Sequence, residues 1–165
     1  VKDGEKVIFR DVKDENSGET YNLTVAQYIA YDLGSDNLGF SNELYTKILQ
    51  EAVEHCGEEG FKAEEYFTQH ADINIASVAV RLSVDRFQLA ESLQVKETEQ
   101  TLRDRVIHLV ADFRLEYVSS HLKELNERLL QVKDPQEMQE IMSEIMRTQN
   151  LRNELAKKTG SNILV

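Results

Sequence analysis

The chain has 165 residues, 41% hydrophobic and 30% charged, with 1 Pro, 7 Gly and a formal net charge of −11. That length holds one domain or two small ones, and that mixture suits a folded, mostly helical chain. The acidic balance argues against broad phosphate-backbone binding, which depends on Lys and Arg, and no apolar run approaches the roughly 20 residues of a membrane span.

No signal-peptide pattern opens the chain, and the lone Cys56 excludes an internal disulfide. Both fit a cytoplasmic protein. Val1 is not an initiator methionine, so the chain reads as a fragment of something longer. The charge is uneven: residues 116–165 hold 7 Lys+Arg against 8 Asp+Glu, and the first 115 residues hold 12 against 22. The nearly neutral half is the better candidate for close apolar contact.

In chain order, VKDG reads as the tail of a helix, with Gly4 as its stop. KVIFRDV and ETYNLTV flank KDENSG; Val7 and Phe9 alternate with polar neighbours and Asn16-Ser17-Gly18 offers turn chemistry. A small β-hairpin is expected there, with a polar loop as the alternative. Helices follow. Thr24 caps TVAQYIAYDL, whose Val25, Tyr28, Ile29 and Leu33 share a side. Ser41 caps SNELYTKILQEAVEHC, with Leu44, Ile48, Leu49 and Val53 as its stripe and Gly57 as its end. AEEYFTQH is a short helix, and Asp72 caps INIASVAVRLS, with Ile75, Val78, Ala79 and Leu82 inward. DRFQLAESLQ continues the pattern before the polar break KETEQ.

Glu99 to Val132 contains neither Gly nor Pro. Leu102, Val106, Leu109 and Phe113 share one face; Val118, Leu122, Leu125, Leu129 and Val132 share another. The stripes are centred roughly 140° apart. One straight helix cannot press both against one core, so its first half is assigned to a bundle at 1–116 and its second to a separate unit at 117–165. A break near Tyr117–Ser120 is the alternative. Asp134-Pro135 starts the last helix, to about Lys158, with Gly160 as a stop. The expected architecture is all-α: an N-terminal helical bundle, a long connecting helix and a C-terminal helical hairpin.

Every methionine lies in MQEIMSEIM, residues 138–146. Ile141, Met142 and Ile145 are expected to zip against Leu122, Leu125 and Leu129, with Met138 and Met146 at the flanks. Leu151 and Leu155 lie off that stripe, and Ile163-Leu164-Val165 forms an apolar tail. One seam between two helices buries little area. Met138, Met142, Met146, Leu151, Leu155, Ile163 and Leu164 are therefore the candidate docking residues, since methionine suits adaptable contacts. Ordinary packing and self-association into a homodimer explain the same surplus.

No chemistry stands beside this surface. None of the four His has Glu three residues earlier, where Ala52, Phe67, Arg105 and Val118 stand. His55-Cys56 has no second pair to complete a zinc site, and no glycine-rich phosphate loop occurs. His55 reads as a surface residue, and no metal, cofactor or catalytic group is expected.

Taken in order, TVAQYIAYDL, FSNELYTKILQEAVEHCGEEGF, AEEYFTQHADINIASVAVRL and DRFQLAESL resemble the C-terminal helicase-binding domain of bacterial DNA primase. The long helix and terminal hairpin are similar to that domain too, so the resemblance covers nearly all the chain. It implies a bundle, a connecting helix and a hairpin, and an adaptor that binds the N-terminal domains of the hexameric replicative helicase. On that resemblance the family's first helix is largely missing, with only VKDG left, and its zinc-binding and polymerase domains are absent. The fragment is then expected to be non-catalytic, monomeric alone and without direct nucleic-acid contact. The family supplies no short motif to lay over numbered positions, so the docking residues come from the hairpin's pattern.

Overall fold

The computed structural model describes residues 1–14, 18–35, 38–90 and 98–158. Among these residues the chain is mostly helical, with six helices and one two-stranded antiparallel sheet. It divides into two compact units, Val1–Val106 and Ile107–Val165.

The first unit opens with a turn where a helix tail was expected. Asp3 takes a left-handed φ of 68° and its carbonyl accepts from Lys6 N at 3.1 Å. Gly4 is buried, and a Cβ there would meet the methyls of Ala63, Ala26 and Ala52 at 3.4–3.9 Å. Gly4 thus serves close packing and not a helix stop. β1 (Val7–Lys13) pairs antiparallel with β2 (Thr20–Thr24), and the register is irregular between Val7, Phe9 and Val12. Asp11, at φ 52°, sits within that irregularity. A shifted register changes which side chains face inward. Ile8 is therefore buried, while Val7 and Phe9 are only half-buried. Gly18, at φ 72°, closes the turn onto Asp14. Asn16 and Ser17 lie outside the described residues.

α1 (Val25–Ser35) begins at a reciprocal cap. Thr24 Oγ1 accepts from Gln27 N at 3.3 Å, and Gln27 Oε1 accepts from Thr24 N at 3.0 Å. α2 (Glu43–His55) is capped by Asn42, whose Oδ1 accepts from Leu44 N at 2.9 Å. Ser41, the expected cap, stands one residue too early. α3 (Ala63–Thr68) and α4 (Ile73–Ala90) follow, and Asp72 caps α4 through Asn74 N. Ala26, Ile48, Ala52, Ala63, Phe67, Ile75 and Ala79 form the core, with Leu44, Leu49, Val53 and Val78 packed on it. Leu82, expected inward, stands outside this cluster and is exposed. Of the polar break KETEQ, Lys96 and Glu97 lie outside the described residues, while Glu99 and Gln100 already belong to the next helix.

α5 (Glu99–Leu129) runs unbroken through Ser119-Ser120. Ser119 Oγ donates back to Leu115 O at 2.7 Å, which keeps the hydroxyl satisfied within the helix. Its start is tied to the sheet. Arg10 forks onto the Glu99 carboxylate at 2.7–3.1 Å, Arg103 lies 5.7 Å over the Phe9 ring, and Arg105 reaches buried Asp3 at 3.4 Å.

Burial along α5 follows an i, i+4 ridge. Leu102, Val106, Val110, Val118 and Leu122 are buried and Arg114 is half-buried. Each four-residue step turns the ridge by about 40°, so it sweeps roughly 200° from first to last. The two expected stripes are the ends of this sweep, joined through Val110. Leu109, placed by angle on the first stripe, is left 58% exposed because the ridge has already turned away.

In the second unit, α6 (Pro135–Lys158) starts at Asp134, whose Oδ2 accepts from Glu137 N at 3.1 Å. It returns antiparallel to α5: Arg128 meets Glu137 at 2.7 Å, and His121 meets Glu144 at 3.3 Å. Leu122, Leu125 and Ile141 are buried between these ties and Val118 just beyond them, and Leu129 and Ile145 are half-buried. The C-terminal stop expected at Gly160 lies outside the described residues.

Candidate interaction surface

The inward side of α6 is read from its burial. Glu137, Ile145, Thr148, Arg152, Leu155 and Ala156 are half-buried and Ile141 is buried, a band of about 100° at 100° per residue. The methionines step away from that band. Met138, Met142 and Met146 stand roughly 60°, 100° and 140° from Ile141. Their exposures rise in the same order, 36%, 53% and 67%. Met142 therefore does not join the seam with Ile141 and Ile145, contrary to the expected zip. An i, i+4 ridge precesses, whereas the seam follows the 3.6-residue period.

The other candidate residues separate. Leu151 is 48% exposed but lies on the opposite flank of α6, about 80° the other way from Ile141. Leu155 is half-buried, on the inward band. Ile163 and Leu164 lie outside the described residues. The candidate surface thus contracts to the three methionines.

Their surroundings have a distinct chemistry. Gln149, Asn150 and Asn153 share the methionine flank and are exposed and uncharged, and Lys157, about 160° from Ile141 and nearly three turns beyond Met146, is the charged residue of α6 on that flank. The opposite flank is charged: Glu140, Glu144 and Arg147 line a shallow polar groove there with Gln136, Gln139 and Ser143. An apolar ridge whose near neighbours on its own helix flank are amides has little charge to desolvate when covered, which is the composition of an interface centre.

A second cluster went unnoticed in the sequence, in the first unit. Tyr66 Oη stands 3.3 Å from His55 Nε2 and 3.4 Å from Glu51 Oε2. His70 Nε2 lies 2.9 Å from the same Glu51 oxygen, and His55 Nδ1 lies 2.8 Å from Glu58. Asp72 N donates to His70 Nδ1 at 3.0 Å, which puts the ring hydrogen on Nε2, facing Glu51. The rings of His55, Phe61, Tyr66, Phe67 and His70 pack around this line, stacked at His55–Phe61 and Phe67–His70 and tilted or edge-on at Tyr66. His55 is thus half-buried and partnered, not a plain surface residue. Burial first, then the Glu51 charge, pushes the Tyr66 hydroxyl above its ordinary value of 10.0. The cluster welds α2 to α3. Its sequence signal was two i, i+4 pairs, Glu51/His55 and Tyr66/His70, invisible to a search for Glu-x-x-His.

Among the described residues, no group of three or more His, Cys, Asp or Glu could hold a metal ion, and no helix is long and apolar enough to cross a membrane. Cys56 Sγ donates to Val53 O at 3.1 Å. A family model described as a domain of unknown function (DUF8430) matches residues 1–163. No curated protein and no solved structure matches the chain.

Proposed function

The chain belongs to the DUF8430 family, and from that premise we propose that it is a non-catalytic docking domain that binds another protein through the methionine flank of α6. The observation that carries this reading is the ridge itself: Met138, Met142 and Met146 stand progressively further out of the hairpin seam, at 36%, 53% and 67% exposure, with the amides Gln149, Asn150 and Asn153 beside them. Each side chain covered by a partner would contribute ~1.5–3 kcal/mol before ordering costs.

The partner we propose is the N-terminal domain of a hexameric replicative helicase, with this chain as the helicase-binding domain of a bacterial DNA primase in the cytoplasm. Two things support that choice: the ordered series of segments that resemble that domain, and an arrangement of short capped helices, one long helix and a closing antiparallel helix pair. In this reading those are the bundle, the connecting helix and the hairpin. The strongly acidic first 115 residues would speed approach to a basic patch on the helicase.

Calorimetric titration with the helicase N-terminal domain tests the proposal. Met142→Asp and Met146→Asp keep their helical circular dichroism and weaken binding more than about tenfold, the equivalent of ~1.4 kcal/mol. Unchanged affinity in both removes the methionine flank. Absence of binding by the unaltered chain, with dimer formation seen by light scattering, replaces the helicase by a second copy.

A further inference from the structure

Methionine is an apolar residue whose thioether peroxides convert directly to a polar sulfoxide. The chain has 3 methionines. All stand on one ridge of α6, all are exposed, and none enters the seam made by Ile141, Leu122 and Leu125. Thioether oxidation in this protein is therefore confined to a single surface and spares the core.

We propose that the Met138–Met142–Met146 ridge is an oxidation site for hydroperoxides, graded along the helix, whose conversion to sulfoxide releases the partner bound there. The last clause rests on the docking reading; the site and its order do not. In each step the thioether sulfur attacks one peroxide oxygen. An S–O bond forms, the O–O bond breaks, and the departing oxygen leaves with the proton as water or an alcohol. Sulfur loses two electrons and the peroxide gains them, so no further reactant is needed.

The order follows from access. Met146 is 67% exposed, Met142 53% and Met138 36%, so the sulfur furthest round from the seam meets peroxide most readily. The side chains of Gln149, Asn150 and Asn153 beside Met146 are neutral amides and do not repel an approaching neutral oxidant. The helix survives because Ile141 and the Arg128–Glu137 and His121–Glu144 ties hold it by other residues. What changes is the surface. A sulfoxide oxygen is a strong acceptor that must be desolvated when covered, so the ridge ceases to be an apolar anchor.

The test uses the full chain and hydrogen peroxide. Peptide mass spectrometry over time shows oxygen added in the order Met146, Met142, Met138, with helical circular dichroism unchanged and retention on a hydrophobic-interaction column reduced. Methionine sulfoxide reductases restore the retention. Equal rates at the three positions, or loss of helix on oxidation, overturn the site. For the second clause, the oxidised chain binds the helicase N-terminal domain about tenfold or more weakly than the reduced chain. A variant with M138L, M142L and M146L, which keeps Cys56, responds to peroxide less than about twofold. Equal binding by oxidised and reduced chain removes the release while leaving docking intact; no binding by the reduced chain removes the docking reading itself, with the oxidation order still decided by the mass spectra.

Discussion

At the scale of single residues, local polar chemistry settles most of the backbone decisions. Thr24, Asn42, Asp72 and Asp134 each place an oxygen on a free N–H at a helix start, and three of these caps were legible because Thr or Asp precedes an apolar period. Asn42 was missed by one position because Ser41 is an equally good capping residue. The same scale sets the pH response. The Asn74 N–H and Lys47 hold the Asp72 carboxyl below its ordinary 3.8, and the Arg10 guanidinium holds Glu99 below 4.5. Both are depressed in the folded chain, so their contribution is present above about pH 4.5 and is lost as pH falls through the lowered values. Tyr66 is raised above 10.0, so its contribution is present below that pH and is lost as pH rises through the raised value. Urea midpoints measured against pH check both limbs. Glu99→Gln flattens the acid limb. The stability difference between the unaltered chain and Tyr66→Phe holds steady near neutral pH and shrinks above pH 10.0.

At the scale of elements, the difference between an i, i+4 ridge and the 3.6-residue period of a helix explains the largest departures from expectation. In α5 the ridge from Leu102 to Leu122 carries burial round the helix through Val110 and half-buried Arg114, which strands Leu109 in solvent. In α6 the same geometry carries the methionines out of the seam, while Ile141 and Ile145 stay near it. This separation gives a contrast to measure. Ile141→Ala removes the one buried apolar side chain among the described residues of α6 and costs ~2–4 kcal/mol in chemical denaturation. Met142→Ala, at an exposed position, shifts stability by no more than about 0.5 kcal/mol. Equal costs would mean that the methionine flank is part of the core.

At the scale of the whole molecule, the two units differ in how much apolar surface they hide. In Val1–Val106 the core draws on α1, α2, α3 and α4 together, with Phe67, Ile75 and Ile8 sealed from solvent. In Ile107–Val165 it rests on one side of α5 and on Ile141 of α6. Local opening costs less where fewer buried contacts resist it. Amide hydrogen exchange is therefore expected to be slowest in α2 and α3 and fastest in α6, read by mass spectrometry on the intact chain. Protection of α6 equal to that of α2 would show a stronger seam than these contacts supply.

The helices, most of their caps and the strand pair were written in the sequence, because each depends on neighbours within a few residues or on a period repeated along one element. The face each apolar side chain finally takes was decided only by the folded chain. Ile8 turned inward because the paired strand shifts register, Leu109 and Leu82 turned outward because no packed cluster among the described residues extends to them, and Met142 left the seam that its i, i+4 spacing had placed it in. Tyr66 met Glu51 and His55 because α3 folds back on α2. Such choices depend on which element lies opposite, and that information resides between elements and not within them.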